Sequence, residues 1–335
     1  MMKLKRIATV LFLIAVMLVL GLFIKIDYFL ILPSRAVNLD TVVEVENHQD
    51  KSEGVFYLVT VSQVKASLTS ALYGKIHPYV DINPVGRVIP EDMDEKEYRE
   101  LLAENMMESQ HIAQVVALRR VGYDVMINSD GIQIIHVVED AAAKGYLQEG
   151  DIIVAVDGRN VNFASEVPLI VKDRQVGETV DLDIKRLDET IKLIVPTGSN
   201  PEDENSPFLG IYIKTLPWEP VLPVEIKMNT GNIGGPSAGL MFVLEIINQL
   251  TEKDLTAGFK IAGTGTIDIE EKIGKIGGIT QKVVAAEKSG ADYFILPEAN
   301  YEQAKKTARS VELVPVDTLD DVLLFLSSLE DKLYN

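Results

Sequence analysis

From Ile7 to Ile24 the chain runs eighteen residues without a charged side chain, and Lys3, Lys5 and Arg6 stand just before it. A helix of that length is just long enough to cross the apolar core of a bilayer. A cleaved secretory signal would have a shorter apolar core and a small-residue cleavage site, whereas this run continues into Lys25-Ile26-Asp27-Tyr28-Phe29. The expectation is an uncleaved single-pass anchor over residues 7–26. The basic residues before it put residues 1–6 on the cytoplasmic side, and everything from about residue 30 onward then lies outside the cell membrane.

Roughly 300 residues remain, enough for two domains. The net charge of −18 argues against nucleic acid or an anionic membrane surface as a partner. There is no cysteine, so neither a disulfide framework nor thiol chemistry is available. The four histidines, His48, His77, His111 and His136, show no metal-ligand spacing, and no cofactor is implied. No G-x-x-x-x-G-K-[ST] run occurs; Gly274-Lys275-Ile276 lacks both the upstream glycine and the hydroxyl residue.

Composition locates the joints. Asp92 to Arg120 is rich in Glu, Leu, Ala and Met and reads as one long helix leading into a new unit. Gly198 to Pro207 is polar, acidic and full of breakers, and reads as a linker over 199–207. Between them, Val121 to Thr197 reads as strand, short helix, two strands, helix and two further strands. The strand-like run beginning at Val55 has no place in that middle unit and is assigned to the sheet of the flanking one.

The chemistry concentrates at Gly235-Pro236-Ser237-Ala238-Gly239, at the mouth of an apolar helix. A serine between small residues sits on a tight turn where its hydroxyl projects and backbone approaches a substrate. The run satisfies the G-x-S-x-G elbow pattern, but an elbow hydrolase carries its histidine after the serine, and all four histidines here precede it. A histidine-first order stays open; otherwise lysine is the usual substitute base.

Of the downstream lysines, Lys272 and Lys275 fall in a charged turn and Lys288 at a helix C-terminus, where a cation suits the dipole. Lys282 differs: it follows Gly277-Gly278-Ile279-Thr280-Gln281 in the first turn of a helix and precedes four apolar residues. Both the dipole and desolvation favour its neutral form. A free lysine titrates near ~10.4, leaving about one in two thousand neutral at pH 7, and burial can bring that down to about 7.

The stretch Pro223 to Pro297 resembles the proteolytic domain of Lon-type serine proteases, which use a Ser-Lys dyad. The resemblance rests on Pro236-Ser237-Ala238-Gly239, Thr264-Gly265-Thr266-Ile267, Gly277-Gly278-Ile279-Thr280-Gln281-Lys282 and Tyr293-Phe294-Ile295-Leu296-Pro297, in the family's order. It implies Ser237 as nucleophile, Lys282 as base and Thr264 as the hydroxyl that orients the amine. Gly235, Pro236 and Ala238 would support the turn, and backbone N–H groups within Gly234 to Ala238 would hold the oxyanion. Just before the serine, Ile233-Gly234-Gly235 stands where many members have Lys-Asp-Gly, which bears on substrate preference.

Val121 to Thr197 resembles a bacterial PDZ domain, through Gly131–Asp140, Glu149-Gly150-Asp151 and the Val176–Val180 turn. The resemblance implies capture of an extended chain end beside a helix near Ala164 to Arg174. Its carboxylate would sit on backbone N–H groups of Gly122, Tyr123, Asp124 and Val125.

Together these readings imply an α+β chain: a Lon-type proteolytic domain with an inserted PDZ-like domain, preceded by one transmembrane helix. The expected boundaries are 35–115 and 208–335 for the Lon-like domain and 116–198 for the PDZ-like one. The chain is similar to the membrane-anchored, PDZ-containing Lon-like proteases of Gram-positive bacteria, some of which trim secreted signalling peptides such as pheromones. That implies an ATP-independent endopeptidase acting on an exported peptide or loosely folded protein. Lon-like domains often assemble into rings, so a homo-oligomer is among the implied partners. Two rivals remain: a non-catalytic PDZ scaffold on a degenerate protease fold, and an esterase using an upstream histidine.

Overall fold

The computed structural model describes the chain except for residues 1, 47, 49–52, 91–92, 188, 201–202 and 334–335. It divides into two compact units: Met1–Asp124 with Leu222–Asn335, and the intervening Val125–Val221. The expected helix start at Asp92 falls outside the described residues.

The first segment of unit 1 opens with α1 (Met2–Phe23), β1 (Lys25–Asn38), β2 (Val43–Val45) and β3 (Val55–Ser67). It continues through α2 (Leu68–Ile76), β4 (Asp81–Pro84), a single turn α3 (Val85–Val88) and α4 (Glu95–Arg120). The 22 residues of α1 reach about 33 Å at 1.5 Å per residue, against a hydrocarbon core near ~30 Å, so this helix is long and apolar enough to cross a membrane. It ends earlier than expected. The Ile24 carbonyl accepts the Leu68 N–H and Lys25 pairs with Ser67, so residues 25 and 26 begin the sheet instead of closing the anchor. Asp94 starts α4 with a capping box, its carboxylate accepting from Lys96 and Glu97 N–H while Glu97 reaches back to Asp94 N–H.

Unit 2 contains β5 (Met126–Ser129), β6 (Ile132–Val137), β7 (Ile152–Val156), β8 (Arg159–Asn160) and α5 (Glu166–Val171). These are followed by β9 (Thr179–Arg186), β10 (Glu189–Pro196), β11 (Gly198–Asn200), β12 (Asp203–Phe208), β13 (Ile211–Thr215) and β14 (Trp218–Val221). Its main sheet runs β10-β9-β7-β6-β13 over a core that includes Ile132, Ile153, Leu182 and Ile184. Asp151, almost fully buried, is held by two 2.7 Å bonds from Arg186. That bidentate pair explains why the Glu149-Gly150-Asp151 run carries structural information.

Three expectations about this unit are corrected. The segment 199–207 is not a linker. β11 and β12 pair as an antiparallel hairpin around residues 201–202, which lie outside the described residues. Nor does unit 1 resume at 208: β13 pairs antiparallel with β6, with a register shift between Tyr212 and Ile213, and from Ile213 on the same register carries through β14 against β5 to Val221 opposite Met126. These strands form a two-stranded ribbon that brings the unit's entry and exit together. The short helix expected after β6 is a series of turns, with Lys144 N–H bonded to Ala141 and Leu147 N–H to Ala143.

The second segment of unit 1 supplies β15 (Ile226–Met228), α6 (Gly239–Leu250), β16 (Lys260–Gly263), β17 (Thr266–Ile267) and β18 (Ile273–Gly274). Then come α7 (Ile279–Lys288), β19 (Tyr293–Pro297), α8 (Tyr301–Lys305), β20 (Glu312–Val316) and α9 (Leu319–Leu333). The central sheet has the order β20-β19-β16-β3-β1-β4. Its β20, β19, β16 and β3 are parallel neighbours, and β1 and β4 close the edge antiparallel. Successive residues of β16 face opposite sides: Ala262 packs in the cluster of α7, while Gly263 lies directly under Met241 of α6. Every residue of α6 from Gly239 to Ile247 is buried, Glu245 included, so this helix is packed on all sides. The helices that flank the serine and the lysine are thus fixed to one sheet.

Candidate active site

Ser237 lies in the loop between β15 and α6, two residues before the helix. Gly235 adopts φ +83, a conformation closed to most side chains, which turns the chain into the helix start. The Ser237 carbonyl accepts twice, from Gly265 N–H at 3.0 Å and from the Thr264 hydroxyl at 3.0 Å. Those bonds tie the loop to the end of β16 and leave the serine hydroxyl free to point elsewhere.

Lys282 stands in the first turn of α7, with its N–H on the Gly278 carbonyl at 3.0 Å. Gly278 caps the helix at φ +68, where an added Cβ would meet Val61 at 2.9 Å. Ahead of this glycine pair, Asn300 clamps Ile276 from both sides, accepting its N–H at 2.9 Å and donating to its carbonyl at 3.0 Å. The lysine amine reaches the serine loop: Nζ is 2.8 Å from Ser237 Oγ and 2.9 Å from Thr264 Oγ1.

The threonine's role follows from its hydrogen bonds. Its single proton goes to the Ser237 carbonyl, so its oxygen can only accept from Lys282. An amine that donates there keeps its lone pair for the serine O–H. Lys282 is 3% exposed and Thr264 is fully buried, and burial lowers the lysine pKa from 10.5 to about 7. Near neutrality, about half of the molecules therefore carry a free amine next to a serine hydroxyl.

A second set of contacts, unforeseen from the sequence, comes from α4. The Leu102 carbonyl accepts Gly235 N–H at 2.8 Å, Ser109 Oγ donates to the Pro236 carbonyl at 3.1 Å, and Gln110 Nε2 donates to Thr230 Oγ1 at 3.1 Å. Gln114 adds a longer 3.4 Å bond to Ile226 O. One face of this helix thereby pins the loop from β15 to Ser237. The only prior signal was a set of polar residues at helical spacing, which also describes a solvent face. Replacing Ser109 with alanine is expected to cost about 1 kcal/mol, because the Pro236 carbonyl loses the shorter of its two bonds and keeps only the Gly239 N–H at 3.3 Å. It should lower kcat on a peptide substrate roughly tenfold with little change in KM, because the loop loses its register while the Ser237–Lys282 contact survives. Steady-state kinetics beside a thermal melt would check both.

The contact with Leu102 also narrows the oxyanion donors. Gly235 N–H is already used and Pro236 has none, which leaves the amides of Gly234, Ser237 and Ala238 within the expected stretch. Of the Gly122–Val125 set expected to cradle a carboxylate, two amides are engaged at the end of a helix. Gly122 and Tyr123 N–H donate to Arg119 and Leu118 carbonyls and cap the end of α4. Asp124 closes the first segment of unit 1, and Val125 opens unit 2. As for the histidines, His48 faces the Gln249 carbonyl, His77 stacks with Tyr73 and Tyr79, His136 pairs with Glu149, and His111 lies on α4 two residues after Ser109.

Residues 222–327 match the model of the Lon protease (S16) C-terminal proteolytic domain, and residues 119–197 match that of the PDZ domain. The archaeal Lon protease of Methanocaldococcus jannaschii is 31% identical over 109 residues, covering 32% of this chain and 16% of that protein. The Lon protease of Roseiflexus castenholzii is 36% identical over 109 residues, 31% of this chain and 13% of that protein. The match therefore spans a small part of either relative. The crystal structure of the PDZ domain of an SdrC-like protein from Listeria innocua shares 27% identity, covering 25% of this chain and 93% of that domain, with a TM-score of 0.23.

Proposed function

For a chain that carries a Lon-type proteolytic domain and a PDZ domain, we propose the function of a membrane-anchored, ATP-independent serine endopeptidase working through a Ser237–Lys282 dyad. The observation that carries the reading is the buried amine 2.8 Å from the serine hydroxyl, with a threonine fixing its orientation. In acylation, Ser237 Oγ attacks the scissile carbonyl as its proton passes to Lys282 Nζ. The C–N bond then breaks, and Lys282 returns the proton to the leaving amine. In deacylation, a water gives its proton to Lys282 while its oxygen attacks the acyl carbon, and the proton goes back to Ser237 as the ester bond breaks. Amides among Gly234, Ser237 and Ala238 stabilise the oxyanion of each tetrahedral intermediate.

The PDZ unit captures an extended segment of the substrate by strand addition. β13 supports this, because it forms an edge of the main sheet of that unit. Exported peptides and loosely folded proteins, signalling peptides among them, are the substrate class. The sequence contains no nucleotide-binding loop that would drive unfolding, and α1 is the candidate anchor.

The test uses the full chain in detergent with casein and no nucleotide. Fragments should accumulate, at equal rates for wild type and for separate His48→Ala, His77→Ala, His111→Ala and His136→Ala variants. A requirement for ATP, or loss of cleavage in any histidine variant that remains folded, would overturn the reading.

A further inference from the structure

Helix α2 leaves a band of large apolar side chains in water. Leu68, Leu72 and Ile76, four residues apart, are 54%, 52% and 77% exposed, and Tyr73 continues the band at 51%. At about 100° per residue, these four cover an arc of roughly 140° on one side of the helix. Lys75 lies at the edge of that arc. The opposite face is spent on packing: Gly74 sits against Leu30 and Ile82, and Ala71 joins the same small cluster.

The position of this helix gives the band a direction. α2 packs alongside the end of α1. Gly21 of α1 is buried against it, so that a methyl group there would collide with the Thr69 hydroxyl. The Leu68 N–H is bonded to the Ile24 carbonyl at 3.0 Å, directly where the apolar segment ends. The first turn of α2 is thus fastened to the outer end of the candidate transmembrane helix. Phe23, Ile24 and Tyr28 are exposed at that level too.

We infer that α2 is an interfacial helix that rests its Leu68–Leu72–Ile76 face in the acyl and headgroup boundary of the same bilayer that α1 crosses. This rests on the reading of α1 as a membrane anchor. A second protein chain explains the pattern less well, because the band is continuous with a segment already committed to lipid. Burying leucine and isoleucine side chains is favourable in proportion to the apolar area removed from water, and three of them on one face suffice to hold an already tethered domain against a surface. Lys75 extends its charge to the headgroups and Tyr73 lies at the depth preferred by amphipathic rings. With a net charge of −18, apolar contact and not attraction to anionic lipid has to supply the affinity. The catalytic unit is then fixed in orientation over the membrane as well as tethered to it.

The absence of native cysteine makes the test direct. The single variants Phe12→Cys, Leu72→Cys, Ile76→Cys and Leu324→Cys of the full chain are spin-labelled and reconstituted into phosphatidylcholine vesicles. Accessibility to oxygen and to a water-soluble nickel chelate is then compared. Leu324 is 73% exposed on α9, packed beside the opposite edge strand β20, and provides the aqueous reference. The expected result is a label at 12 in the hydrocarbon and labels at 72 and 76 at interfacial depth, with oxygen-to-nickel ratios severalfold above that at 324. Labels at 72 and 76 that match 324 while 12 is deep would overturn the helix–bilayer contact alone. An aqueous reading at 12 would overturn the anchor and this inference together.

Discussion

Replacing Lys282 with methionine is expected to lower kcat/KM for peptide cleavage by at least ~10³-fold while making the protein more stable. General acid–base catalysis contributes about 10²–10⁴-fold, and in the proposed mechanism one amine serves every proton transfer. The gain in stability comes from the same burial. Lys282 titrates near 10.5 when unfolded and about 7 in the fold, so below pH 10 the unfolded chain binds more protons at this site than the native one does. Native stability therefore rises as pH increases from about 7 towards 10.5, and at pH 7 the site costs about 4 kcal/mol. Methionine removes that penalty but leaves Thr264 Oγ1 without its donor, so a net gain of about 1–3 kcal/mol is expected, seen as a Tm several degrees higher. Ser237→Ala should lose activity to a similar extent with little change in Tm, because the bonds that hold its loop come from its carbonyl. An inactive Lys282→Met protein that melts earlier than wild type would contradict the burial argument. A folded, active one would remove the lysine from the mechanism.

The second large effect is on the pH profile. Only the neutral amine accepts the serine proton, and burial holds the Lys282 pKa at about 7. Below that value kcat/KM should approach a fall of about tenfold per pH unit, roughly fiftyfold between pH 7 and 5, and above it the rate should level off. A peptide substrate without groups titrating in this window isolates the enzyme's own ionisation. Individual His→Ala changes should leave the inflection where it is. An inflection that moves with one histidine, or a rate that is flat from pH 5 to 8, would exclude lysine as the base.

How far the site could be read from the chain depended on how local its signals are. Ser237, Thr264 and Lys282 each lie within four residues of a glycine at an element boundary, where backbone demands restrict the sequence, and such positions announce themselves. Ser109 and Asn300 do not. Ser109 lies in Glu-Ser-Gln-His, which reads as a wetted helix face, and its bond to Pro236 O crosses 127 residues of sequence. Asn300 follows Glu-Ala in a turn and clamps Ile276 from 24 residues away. The α+β class, the PDZ domain and the Lon-type domain were legible, because apolar periodicity and motif order survive without coordinates. The stretch 199–207 was misread for a physical reason: a run of polar, acidic and breaker residues favours solvent, and it does so equally in a linker and in a short exposed strand pair. Its closure depends on β-pairing, which composition does not record.

The ribbon of β5–β6 with β13–β14 alters the folding problem of the surrounding unit. For unit 1, Val125–Val221 is a loop of roughly a hundred residues that must be closed before Leu222 can rejoin its own sheet and helices. Once that segment has folded, Met126 and Val221 are paired neighbours, and the loop to be closed shrinks to a handful of residues. Each halving of a loop lowers its closure cost by about 0.6 kcal/mol, so going from about 100 residues to about 6 relieves unit 1 of roughly 2.4 kcal/mol. The inserted unit acts as a clasp whose prior folding makes the interruption nearly neutral for the host, and the two halves of the catalytic unit meet almost as though the chain between them were a tight turn.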